Sequence, residues 1–153
     1  CYNEKNFEKA ISGFKKALEF KDDSIETLYY LGSSYFRKNE KENAKYFFEK
    51  ALRLEPNFKE HFIKEGQELF QNGDYDEARI LFEEGLLVDP DNIKLKFCYG
   101  EILSIIGDLN GAIKIYKELE NIAEDTKDIY LNIAFAYTEL GDYKNAVIYL
   151  EKF

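Results

Sequence analysis

The chain has no methionine, one histidine, two cysteines and two prolines among its 153 residues, and these scarcities remove whole classes of function. Cys1 and Cys98 lack metal-ligand spacing and the density of a disulfide-stapled fold, so a reducing environment, the cytoplasm, is the expectation. His61 has no cysteine or second histidine near it in sequence and reads as a surface or boundary side chain rather than a ligand or general base. Cations are in deficit. With 30 acidic against 21 basic residues the net charge is -9, the wrong sign for releasing counterions from a phosphate backbone, and nucleic acid is not an expected partner. No apolar run approaches the roughly 20 residues of a membrane span, and the longest candidate, near Ile102 to Ile106, is broken by Ser104.

Catalytic patterns are missing too. There is no glycine-rich phosphate loop and no Ser-His or Cys-His pairing, and the run Asp89-Pro90-Asp91-Asn92 lacks the further ligands of a calcium loop and reads as a helix cap. The carboxylates of Glu83-Glu84 and of Glu118 with Glu120 are assigned to outer helix faces, without the burial that tunes an acid for catalysis. No enzyme activity, cofactor or metal is therefore expected. A chain without methionine that starts at Cys1 reads as part of a longer protein; a lipidated amino-terminal cysteine at a membrane surface is the alternative.

What the chain does have is a period. Alanine stands at Ala10, Ala44, Ala78, Ala112 and Ala146, each 34 residues after the last, and glycine at Gly32, Gly66 and Gly100 keeps the same step. Gly73-Asp74, Gly107-Asp108 and Gly141-Asp142 mark a turn at that interval, and so do the two prolines, Pro56 and Pro90. Composition supports packing of these units: 45% of the residues are hydrophobic and 16% aromatic, ample for a core.

Within each period the apolar residues fall at helical spacing. Phe7, Ala10, Ile11, Phe14 and Ala17 share one face of a helix expected over residues 3–18; Asp22, Asp23 and Ser24 then offer short side chains that cap the next helix. That helix, from Ile25 to about Lys38, carries Leu28, Leu31, Gly32 and Tyr35 on one stripe and Tyr29, Ser33 and Phe36 on an adjoining one, as a helix with two neighbours, or one neighbour and a ligand, must. Asn39-Glu40 turns the chain, and Lys41 to Leu54 returns with Ala44, Phe48 and Ala51 inward, stopping before Pro56.

The pattern Leu28-x2-Leu31-Gly32-x2-Tyr35, Ala44-x3-Phe48, Pro56 resembles the tetratricopeptide repeat. Phe62, Gly66, Leu69, Ala78, Phe82 and Pro90 repeat it, with Glu65 in place of the leucine and Gly85 in place of the small residue seen at Ala51. The third copy keeps Tyr99, Gly100, Leu103, Ala112 and Tyr116 but has Lys96 at the large-aromatic place, Leu119 for the small residue and Glu124 for the proline. The last has Tyr130, Ile133, Ala134, Tyr137, Ala146 and Leu150. The resemblance implies an all-α, right-handed superhelical solenoid of antiparallel helix hairpins, a single array with partial repeats at 1–24 and 127–153 and full repeats at 25–58, 59–92 and 93–126.

It also implies a function: a protein–protein interaction scaffold that holds an extended or helical segment of a partner against the first helices of the hairpins, which line the concave side. Helical spacing then selects Tyr29, Ser33, Phe36 and Arg37, then Ile63, Lys64, Gln67 and Phe70, then Lys94, Phe97 and Glu101, and finally Phe135, with Leu131 on the same stripe. Aromatics there either pack between hairpins or form an apolar binding strip. The carboxylate clamp of some relatives would fall on Tyr29, Ser33, Lys64, Lys94 and Cys98, of which only the lysines have suitable chemistry. Two alternatives remain open: homo-oligomers formed through repeat ends that expose Phe7, Phe14 or Phe153, and a targeting arm of a larger enzyme.

Overall fold

A computed structural model describes residues 2–20 and 24–153, all helices and connections. Cys1, Asp22 and Asp23, given roles above, lie outside the described residues. In chain order the helices are α1 (Tyr2–Glu19), α2 (Ile25–Arg37), α3 (Lys41–Leu54), α4 (Lys59–Asn72), α5 (Tyr75–Val88), α6 (Ile93–Ile105), α7 (Leu109–Glu120), α8 (Lys127–Glu139) and α9 (Tyr143–Lys152), with a 3-10 turn at Pro56–Phe58 before α4. Contacts divide the chain into two compact units, one ending at His61 and one running from Phe62 to Phe153.

The helices start and stop where side chains can satisfy free backbone groups. Ser24 caps α2 by accepting from the Thr27 amide at 3.2 Å, and Asn92 caps α6 by accepting from the Leu95 amide at 3.0 Å, its own amide nitrogen donating to Asp89 at 2.9 Å. Asp108 and Asp142 do the same for α7 and α9. Before each returning helix the backbone turns left-handed: Gly73, Gly107 and Gly141 take φ of 85°, 86° and 75°, and Asn39, at 63°, fills that place in the first unit. Asparagine is among the few side chains that tolerate this region, which is why the first repeat turns without a glycine.

In the first unit α2 packs on α1 and α3. Gly32 makes this close approach necessary: a Cβ there would stand 2.6 Å from Cε1 of Phe48, whose buried ring occupies the space against α2. The second unit repeats the device. Gly66 faces the ring of Phe82, and a Cβ on Gly100 would stand 2.7 Å from Cε1 of Tyr116. Gly85, which departs from the repeat pattern, has its own reason, since an added Cβ would meet Cβ of Phe62 at 2.9 Å and Cδ1 of Leu95 at 3.0 Å. From there α6 packs on α5 and α7, and α8 on α7 and α9. Leu103, Ala112, Tyr116, Leu119, Ile129, Ile133, Ala134 and Tyr149 form the core of this end.

Two departures from the pattern are compensated. Lys96, at an aromatic's place, reaches across to Glu118 at 2.9 Å, and the adjoining Phe97 sets its ring edge-on to Tyr116 at 5.9 Å. Where Ala134 stands for glycine the ring slot is shut; Leu150 then holds the ring's place and stays 49% exposed, while the ring of the adjoining Tyr149 is buried in the core. One expectation fails. Glu84 is 1% exposed, and Glu83 accepts from the Tyr99 hydroxyl at 2.8 Å and pairs with Arg79 at 2.6 Å, so these carboxylates are not solvated outer-face groups. Glu83 is held there against Tyr99 of α6.

Replacing Gly32 by alanine drives a methyl into the Phe48 ring and should destabilise the chain by about 1–3 kcal/mol. Gly13→Ala in α1, where nothing lies within 4 Å, should instead stabilise by about 0.5–1 kcal/mol. Urea unfolding checks both; equal midpoint shifts for the two would contradict the slot.

Candidate functional site

The surface selected by helical spacing is the solvent-facing side of the first helices, α2 in the first unit and α4, α6 and α8 in the second. On α2, Tyr29 is half-buried, with ring centroids 5.2 Å from Tyr30, 5.9 Å from Phe48, 5.5 Å from Phe58 and 5.1 Å from His61. It packs the hairpin. His61 stacks on Phe58 at 4.9 Å, the boundary role expected of it. Ser33 and Phe36 are half-buried, Phe36 beneath the Lys41 ammonium at 6.0 Å, and Arg37 is exposed at the end of the helix.

In the second unit the candidates come together. On α4, Ile63, Gln67 and Phe70 are half-buried and Lys64 is exposed; Phe70 meets Tyr75 edge-on at 5.6 Å. The Gln67 amide reaches Sγ of Cys98 on α6 at 3.7 Å and joins the two helices. Cys98 is buried, and that burial pushes its thiol above the ordinary range. It is a packing residue, and no clamp can be built on it. Lys94, also on α6, is exposed, and Phe97 is partly covered by the core.

Farther along α6, Glu101 is half-buried. Desolvation raises its carboxyl above the ordinary value, and the charge of Asp128, exposed at the start of α8, raises it further. Tyr116 lies below, its hydroxyl bonded to Ser104; burial, then Glu101, pushes that phenol upward. Beyond Asp128, α8 presents Leu131 and Phe135, 45% and 56% exposed. Asp128, Leu131 and Phe135 follow one another at i, i+3 and i+7 and so share a stripe of the helix. Helical spacing alone selects Glu101 and Phe135, whereas the influence of Asp128 on Glu101 arises from the packing of α6 and α8.

The result is a surface of alternating apolar and charged side chains on consecutive hairpins of one length. The tetratricopeptide repeat family matches residues 25–58, 62–92 and 127–153. The chain belongs to this family. These matches pass over 93–126, the copy in which Lys96 and Glu124 depart from the pattern, yet α6 and α7 form the same hairpin there.

Solved structures share the fold. MamA is 23% identical, the match covering 96% of this chain and 80% of that one with a TM-score of 0.61. YrrB, described as a TPR protein with an unusual peptide-binding site, is 23% identical over 97% of this chain and 76% of its own, at 0.60. MamA from Desulfovibrio magneticus RS-1 is 19% identical over 95% and 82%, at 0.59. A search of the curated proteins found no match. The tetratricopeptide chain is thus an all-α repeat solenoid and, as a member of a family of generally non-catalytic scaffolds, a protein–protein interaction scaffold. Among the described residues no helix is long and apolar enough to cross a membrane, and no three His, Cys, Asp or Glu side chains gather to hold a metal.

Glu101 supplies a check on the surface. A carboxyl raised in the folded state binds its proton more tightly there than in the unfolded chain, so it subtracts stability as pH climbs past its ordinary value of 4.5. Glu101→Gln should therefore raise the melting temperature at pH 7, with the advantage closing as the pH falls towards 4.5. A variant less stable than the parent at pH 7 would show that Glu101 has a cationic partner.

Proposed function

We propose that the second unit of this scaffold holds an extended or helical segment of a partner protein along the open faces of α4, α6 and α8. The observation that carries this reading is the pair Leu131 and Phe135, two large apolar side chains left largely in water on one stripe of α8. Ile105 on α6 is 49% exposed as well. Apolar side chains of this size, rimmed by polar Gln67, Lys94, Glu101 and Asp128, are what a partner's anchors bury on binding. Beneath the strip α4 and α6 are held by ring-and-glycine contacts and α8 by its core residues Ile129, Ile133 and Ala134, so little ordering has to accompany capture.

Within this reading Ile63, Lys64, Gln67, Phe70, Lys94, Phe97, Glu101 and Phe135 form the binding strip. Tyr29, Ser33, Phe36 and Arg37 offer a separate surface in the first unit, where Tyr29 is already committed to packing. The peptide-binding site described for YrrB supports the reading by likeness of fold. A cytoplasmic setting goes with it, as does the single continuous array of repeats.

One observation favours a second reading, self-association. Phe48, Phe82 and Tyr116 are sealed inside their hairpins, whereas α9 turns Tyr143, Val147, Leu150 and Phe153 outward. A second copy would cover this stripe. In that case the mass measured by light scattering rises with concentration and Leu150→Glu abolishes the rise.

For the groove, Phe135→Ala is the direct test. Because the side chain is mostly exposed, the melting temperature should hold within what surface substitutions allow, about 0.5 kcal/mol. Capture of partner segments should fall by about 10-fold or more, the loss of one buried aromatic anchor. Unchanged capture would remove α8 from the site.

A further inference from the structure

Building on the groove reading, we propose that the part of the surface shared by α6 and α8 selects a segment carrying lysine or arginine beside a large apolar residue, the cation between Glu101 and Asp128 and the apolar side chain on Leu131 and Phe135. Three features converge on that occupant. Helices α6 and α8 are in direct contact, and the charge of Asp128 on α8 acts on the half-buried Glu101 carboxyl of α6. Neither carboxylate is paired with a lysine or arginine among the described residues, whereas Glu83, Glu118, Glu120 and Glu40 all have a cation within 3 Å. Leu131 and Phe135 stand one turn apart immediately along the stripe from Asp128, so a partner side chain placed next to its cation lands on them.

Charge decides between this occupant and its opposite. A cation seated between two repelling carboxylates relieves both at once and gains charge-assisted hydrogen bonds on a half-desolvated surface. An acidic segment arriving there would add a third negative charge to a chain already at -9. The side chains facing Glu101 otherwise offer it no cation: burial and then Asp128 raise its carboxyl, Tyr116 faces it as a neutral phenol, and Lys94 stands about 10 Å back along α6 by helical rise. Exposed Lys64 and Lys94 serve the competing possibility, recognition of an acidic or carboxy-terminal segment, and it enters as an outcome of the test.

The probes are short synthetic peptides, acetylated and amidated, in which a Leu-x-x-Phe core is preceded by Lys, Arg, Gln or Glu, offered to the intact chain and followed by fluorescence anisotropy. The Lys and Arg peptides should bind about 10-fold tighter than the Gln peptide and the Glu peptide weakest of all, an advantage that shrinks with added salt. In the Glu101→Gln, Asp128→Asn double variant the four should converge, while Phe135→Ala should weaken every peptide. Equal binding of all four that still depends on Phe135 would overturn the charge selection and leave the groove standing. Tighter binding of the Glu peptide, or of one with a free carboxy terminus, would overturn it in favour of the lysines. Binding of no peptide above a scrambled control, or binding indifferent to Phe135→Ala, would overturn the groove reading along with this one.

Discussion

Three hairpins of this structure depend on an aromatic ring lying where a side chain on the facing helix has been omitted. Phe48 fills the space over Gly32, Phe82 over Gly66 and Tyr116 over Gly100. Each contact brings two helices of a hairpin closer than any larger residue permits, and it does so at the same two places in the repeat, so successive hairpins share one spacing. Burial follows from that closeness: the three rings are almost wholly removed from water, and each carries a large share of the apolar area its hairpin buries. A repeat of this length cannot cover both its faces alone, which is why α6 and α8 each contact helices on two sides.

The proposed binding strip occupies what the packing leaves over. A first helix spends one face on its own hairpin and another on its neighbour, and the remaining stripe is unconstrained by the core. Along α4, α6 and α8 that stripe carries Lys64, Gln67, Lys94, Glu101, Asp128, Leu131 and Phe135, side chains with no common packing role. The core residues beneath them recur from copy to copy, while these do not: Lys94, for instance, corresponds by the period to Asp128, and Glu101 to Phe135. Chemistry that changes along a rigid, repeating support is suited to reading a partner's side chains in order.

Much of this was legible in the sequence because the period ties each inference to the same place in the other copies. Helix bounds such as Lys41–Leu54, the left-handed turns at Gly73, Gly107 and Gly141, and the caps at Ser24 and Asn92 follow from local chemistry that does not require the fold. Contacts between helices were harder to read. Glu84 is charged and expected outward, but it is buried, and no pattern of residue types announces that. Tyr29 and Phe135 occupy stripes of the same kind, yet Tyr29 is walled in by Phe48, Phe58 and His61 while Phe135 stands in water. Residue type alone could not separate a packing aromatic from a free one, because the difference lies in which neighbours the following helix and turn deliver. Lys96 shows the converse: a residue that breaks the pattern is kept by an ion pair to Glu118, twenty-two positions away in sequence.

The ring-in-slot contact is tested most directly by a thermodynamic cycle on Gly100 and Tyr116, using the exchange that the last repeat already displays at Ala134 and Leu150. Unfolding free energies of Gly100→Ala, Tyr116→Leu and the double variant give the coupling between the two positions. If the contact is as described, shrinking the ring makes room for the methyl, and the double variant is more stable than the sum of the single losses by about 1 kcal/mol or more. Additive losses would mean that the two positions do not sense each other, and the glycine would then owe its place in the repeat to something other than the ring.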